Sequence, residues 1–321
     1  MHYALPYKTK QFFFVLIKLS IVVGASYFIY HKLIKNPDLK FDHFIQFTSK
    51  NNIFLSKNII FLLVLSIFNW FLEILKWRDL ASVVTKISFK NATTQSLGAL
   101  TASLFTPNRI GEYGAKAMYF TSIYRGEIML THLLSSMMQM GVTLVLGIIG
   151  FSIFSNTYAI PINYYKITRL SVIVLTIVIV TALGLSKSNY KIKGFALKRI
   201  KTFVLGFPKT TCIWGILLSL LRYAIFSFQF YLILYLFKAN ISYLEAMYAI
   251  TSMYLIASII PSIFMFDVVI KGSVAVYLFS FLDINAVIIL CTVTLMWLLN
   301  VVLPSMFGSV FVLNFKLPKS T

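Results

Sequence analysis

Thr106-Pro107-Asn108-Arg109-Ile110-Gly111-Glu112, with Lys116 four residues past the acid, interrupts an otherwise apolar stretch of this chain. A second interruption, Ile260-Pro261-Ser262 through Asp267, repeats the frame of proline, carboxylate and then a lysine, Lys271, four residues further on. Each proline removes an amide hydrogen and clashes with the preceding turn, so a helix cannot run through it undisturbed. Charges at membrane depth are costly and tend to mark function. Two such breaks in corresponding positions are the layout of a transport-type fold whose halves meet at one site.

The composition supports a membrane setting. Of 321 residues, 59% are hydrophobic, well above the share in soluble domains. The net charge is +20, from 29 Lys and Arg against 9 Asp and Glu. These basic residues lie mostly in short loops between apolar runs, where anionic lipid attracts them. Nucleic-acid binding would need an exposed basic face with readout elements, and the sequence has none. Cys212 and Cys291 sit inside apolar runs, and the four histidines show no ligand spacing, so no metal site is expected. No cofactor motif is present either.

Apolar runs predict six full spans at 11–30, 58–75, 128–154, 170–185, 211–237 and 286–313. The first follows Lys8 and Lys10 and lacks a small-residue cleavage site after it, so it is expected to be retained. The two interrupted segments, 94–124 and 243–282, are expected to be re-entrant or broken helical hairpins. The predicted fold is therefore an all-α polytopic membrane protein, with residues 1–321 forming one integral membrane domain and no soluble domain. Three spans separate the hairpins, which puts them on opposite sides of the membrane. The halves, about 58–154 and 211–313, form an inverted repeat in this reading. One side of the membrane collects 16 Lys and Arg and the other 8. The positive-inside rule makes the richer side cytoplasmic, with both termini on it.

Within the first break, Pro107 and Gly111 are the expected hinges, and Thr106 or Asn108 can cap a new helix. If that helix starts near Asn108, then Arg109, Glu112 and Lys116 share a face. A helix N-terminus with an arginine fork suits phosphate oxygens. Glu112 has two readings: it pairs with Arg109 and Lys116, or it takes a proton or cation during transport. A self-neutralised triad that only stabilises the kink is the structural alternative. In the second break Pro261 is the hinge and Asp267 pairs with Lys271, again as a site or as a purely structural pair. Arg222 lies too deep in its span to snorkel and is expected to face a cavity, paired with Glu112 or Asp267. Glu73, Lys76, Trp70 and Trp77 read as an interface anchor. Asn69, Gln139 and Asn300 read as lone polar residues bonded between helices. The substrate-binding set is thus Arg109, Glu112, Lys116, Arg222, Asp267 and Lys271, with no catalytic residue.

From Leu100 to Glu112 the chain resembles the lysylphosphatidylglycerol synthase transmembrane-region family, also described as flippase-like. Ser103, Pro107, Arg109, Gly111 and Glu112 fit its pattern of a Ser-containing apolar arm and Pro-x-Arg-x-Gly-Glu, and Leu221-Arg222-Tyr223 with Gln229 is similar to its later span. The family's second break often reads Pro-x-x-Gly-Gly-x-Gly-x-x-Glu. Here those glycines are absent, and Asp267 stands where Glu is expected. The resemblance implies translocation of a phospholipid or lipid-linked intermediate across the inner (plasma) membrane, without the soluble synthase domain found in some relatives. Two other classes compete with this: an enzyme acting on a lipid headgroup inside the membrane, with Glu112 or Asp267 as base, and a non-catalytic partner of an envelope-lipid synthase.

Overall fold

The computed structural model describes residues 55–104, 106, 109–158, 197–259 and 264–318, with a few isolated positions before residue 50. Among these residues every regular element is helical. The elements are α1 (Ser56–Ala81), α2 (Phe89–Ser103), α3 (Gly111–Met118), α4 (Arg125–Thr157), α5 (Leu197–Gly206), α6 (Lys209–Leu236), α7 (Tyr243–Ile259), α8 (Phe264–Ser280), α9 (Ala286–Trp297) and α10 (Leu303–Leu313). A single π turn, Leu298–Val302, joins α9 to α10.

Four stretches are long and apolar enough to cross a membrane: α1, α4, α6 and the continuous run Ala286–Leu313. They correspond to four of the six expected spans. The other two, at 11–30 and 170–185, lie outside the described residues apart from isolated positions in the first. The outward faces of these helices are apolar: Ile60, Ile67 and Phe68 on α1, Val145 and Ile148 on α4, and Ile213 and Ile216 on α6 are all exposed. Their inward faces carry polar and charged side chains, including Asn69, Glu73 and Lys76, all buried. Apolar outside and polar inside is the distribution that a hydrocarbon solvent favours.

Both interrupted segments form pairs of helices. In the first, α2 has 15 residues and α3 only 8. At ~1.5 Å per residue neither reaches across a ~30 Å hydrocarbon core. In the second, α7 and α8 have 17 residues each. The ends are capped by local chemistry. Ser88 accepts from the Asn91 amide at 3.2 Å to start α2. At the start of α7, Ser242 and Glu245 bond reciprocally as a capping box. Asn285 accepts from the Val287 amide at 2.8 Å to start α9.

The tightest helix pairs are α1 with α6, α4 with α7, and α2 with α10. Small residues permit the last two. A Cβ on Gly147 would come within 2.6 Å of the Leu255 side chain, and one on Gly150 would overlap the Thr251 hydroxyl. A Cβ on Gly308 would overlap the Leu97 carbonyl and the Thr101 hydroxyl. Backbones that approach this closely gain packing that does not depend on water, which suits helix association in lipid. The same approach brings Thr101 Oγ1 within 2.8 Å of the Ser305 carbonyl oxygen, to which it donates.

The π turn has a specific cause. Pro304 cannot donate to the carbonyl of Asn300 four residues back, and its ring crowds that oxygen. The ladder widens by one residue, so that the Leu303 amide donates to the Leu298 carbonyl instead. The freed Asn300 carbonyl accepts from Trp70 Nε1 on α1 at 3.0 Å. A local break in the last helix thus becomes a cross-link to the first.

Candidate functional site

Polar side chains on the inward stripe of α1 organise the interior. Ser66, Asn69, Glu73 and Lys76 recur at spacings of three and four, so they stack along one face. Lys76 bonds Glu73 at 3.0 Å within the helix. Arg222 on α6 reaches across to the same carboxylate at 2.7 Å and to Asn69 Oδ1 at 3.2 Å. Asn69 Nδ2 donates to Asn300 Oδ1 at 3.0 Å, and Asn300 Nδ2 donates to Gln229 Oε1 at 2.9 Å. Gln229 Nε2 closes the chain on Ser66 Oγ at 2.8 Å and the Leu62 carbonyl at 3.0 Å. Nearly every donor in this seam has an acceptor, as buried polar networks require.

A second cluster surrounds the first break. Thr106 makes the turn: its hydroxyl donates to the Ser103 carbonyl at 2.8 Å and accepts from the Gly111 amide at 2.9 Å. Gly111 is needed there because a Cβ would lie 2.8 Å from Thr106 Cγ2 and 3.2 Å from Ser103 Cα. Arg109 takes a left-handed conformation with φ of 56°, unusual for a side chain of its size. From that turn it pairs with Glu112 at 2.6 Å. The other Glu112 oxygen lies 3.4 Å from His132 Nε2 on α4. His132 Nδ1 lies 3.2 Å from Lys116 Nζ. That ammonium sits 4.2 Å over the face of Trp77, which donates from Nε1 to Gln95 on α2 at 2.8 Å. Trp77 and Lys116 are both almost fully buried.

Between the clusters lies a cavity of about 470 Å³. Arg109 from the turn before α3, Arg222 from α6 and Lys271 from α8 all line it. Much of the remaining wall is aromatic, including Trp70, Tyr223, Phe226 and Tyr254. Tyr254 Oη and Gln139 Oε1 are buried without a hydrogen-bond partner, as is Arg109 Nε. Among the described residues no cluster of His, Cys, Asp or Glu has the arrangement of a metal site. The geometry is that of a concave, mostly apolar site with a few convergent cationic groups.

Several expectations change. Arg109, Glu112 and Lys116 do not act as one face of a helix. Arg109 precedes α3, and Lys116 turns to His132 and Trp77, leaving only Arg109 of the three on the cavity wall. Arg222 faces the cavity as expected, and among the described residues its carboxylate is Glu73 rather than Glu112. Glu73, Lys76 and Trp77 are therefore interior residues and not an interface anchor. Asn69 and Asn300 bond each other across 231 residues of sequence, as interhelical hydrogen bonding predicts. Pro107, Pro261 and the side chain of Asp267 lie outside the described residues. His132 carried no sequence signal, since nothing in its spacing points to Glu112 or Lys116. The α1 stripe did carry one, in the recurrence of Ser66, Asn69, Glu73 and Lys76. No family model, curated protein or solved structure matches this chain.

Proposed function

We propose that this protein is a flippase-like translocator of a phospholipid or lipid-linked intermediate, acting in the inner membrane. The observation that carries the reading is the convergence of Arg109, Arg222 and Lys271 on one aromatic-walled cavity inside an apolar helix bundle. Cations there attract a phosphate headgroup, and arginine forks fit its oxygens. The apolar walls and the outward-facing apolar surface suit acyl tails. Glu112 and Glu73 hold the two arginines in place between cycles.

The helix packing supports an inverted repeat as the frame for alternating access. Exchanging α1 with α6, α2 with α7, α3 with α8, and α4 with the α9–α10 run turns the α2–α10 contact into the α7–α4 contact. It turns the α1–α6 contact into itself, as a two-fold axis requires. Six spans, both termini in the cytoplasm and a single membrane domain complete this reading. The resemblance of Leu100 to Glu112 to the lysylphosphatidylglycerol synthase transmembrane region points the same way.

The test is translocation of fluorescent phospholipid analogues in proteoliposomes. Arg109→Ala and Arg222→Ala should each slow it by about ten-fold or more, the loss expected from one charge-assisted contact. Unchanged rates in both variants would remove the cavity from the mechanism.

A further inference from the structure

The ionic clusters around the cavity hold more positive than negative charge. Arg109, Lys116, Lys76 and Arg222 stand against Glu112 and Glu73. Lys271 is left out of this count, because the side chain of Asp267, one turn before it, lies outside the described residues. Lys116 and His132 are counted together as one positive charge, since a proton shared between Nζ and Nδ1 leaves the same sum on either side. A lysine ammonium can only donate, so Nδ1 accepts from it, and the ring proton is assigned to Nε2, facing Glu112. Lys116 is placed as a cation, over the negative face of the Trp77 ring. The clusters therefore carry an excess of two positive charges.

Such an excess inside a low-dielectric bundle is costly until a counter-charge is bound. It also has a direction. Lys76 and Lys116 are sealed behind the wall, with 2% and 1% of their surface exposed. The Arg109 and Arg222 side chains keep 34% and 22%, on the cavity side. Arg109 Nε is without an acceptor, and the Tyr254 hydroxyl on the same wall is free to donate.

We infer that the cavity selects a doubly charged phosphate group, the phosphomonoester or diphosphate headgroup of a lipid, over a singly charged phosphodiester. The inference rests on the lipid-translocation reading and adds the headgroup class to it. Two arginine forks and one hydroxyl offer donors to separate oxygens, and two negative charges balance the excess.

The purified full-length protein in phosphatidylcholine nanodiscs can be titrated at pH 8 with four probes: dioctanoyl phosphatidate, dioctanoyl phosphatidylglycerol, inorganic phosphate and pyrophosphate. Phosphatidate should bind about ten-fold or more tighter than phosphatidylglycerol, the difference expected for added charge-assisted bonds. Arg109→Gln and Arg222→Gln should erase that preference, and Arg109→Lys and Arg222→Lys should keep most of it. If a glutamine variant does not fold, the wild-type comparison decides by itself. Equal affinity for the two lipids would overturn the charge selection and leave translocation standing. Inorganic phosphate or pyrophosphate binding as tightly as phosphatidate would overturn the lipid part of the inference and the translocation reading with it. No binding by any probe would overturn both.

Discussion

In the first hairpin the chain turns at Thr106, places Arg109 at positive φ, and returns through an eight-residue helix that carries Glu112 and Lys116. In the second, two 17-residue helices lie on either side of residues 260–263, which are outside the described residues, and the described part contributes one cation, Lys271, to the cavity. Yet the leading arm of each hairpin packs against the last span of the opposite half, and each contact is made at glycines. Packing and charge are therefore separable here. Backbone proximity is set by small residues in both stretches, whereas more of the described ionisable groups lie in the first.

The sharpest way to break this comparison is to remove a carboxylate from each cluster. Glu73→Ala strands Arg222 and the sealed Lys76, and should cost about 3–5 kcal/mol, the usual penalty for an uncompensated buried charge. Glu112→Ala strands Arg109, whose side chain is 34% exposed toward the cavity, so the loss should be smaller, about 1–3 kcal/mol. Thermal unfolding in detergent micelles measures both. The reverse order would mean that the first hairpin, not the α1–α6 seam, anchors the interior.

Glycine substitutions probe the shared frame. Gly150→Val and Gly308→Val should each destabilise by about 1–3 kcal/mol through overpacking. Matching losses sharpen the two-fold reading. A loss at only one site would show that the halves are held differently. Replacing Asn300 with Leu removes the bonds to Asn69 and Gln229 and should cost about 1 kcal/mol, the scale measured for interhelical bonds in lipid. The smallest effect is expected at the turn: Thr106→Val deletes the hydroxyl's bonds to the Ser103 carbonyl and from the Gly111 amide, a loss of about 0.5–1 kcal/mol at this part-exposed position. It should also lower lipid translocation more than it lowers stability, because Arg109 is aimed from that turn.

The spans that fall among the described residues were legible from apolar run length, and Ala286–Leu313 has the predicted bounds. The first break was legible from Pro107 and Gly111, because proline and glycine act on their own backbone, whereas the second, at Pro261, lies outside the described residues. Partners were harder. Arg222 could be placed at a cavity by its depth, but the sequence offered Glu112 or Asp267 as its carboxylate and not Glu73, with which it pairs. Glu73 resembled a headgroup anchor because Trp70 and Trp77 flank it. The same aromatic pattern serves an interior seam when Asn300 and Gln95 receive the indole-side bonds.

Hydrophobic run length and the chemistry of proline act locally, so the sequence by itself determined a helical membrane bundle with two interruptions. The pairing of Arg222 with Glu73 across 149 residues was decided only by the tertiary structure, as were the link from Glu112 to Lys116 through His132 and the Asn69–Asn300–Gln229 seam. Run length and local helix chemistry do not say which inward stripe will meet which. That is set by the close approach of helices at Gly147, Gly150 and Gly308 and by the π turn that Pro304 forces at Asn300.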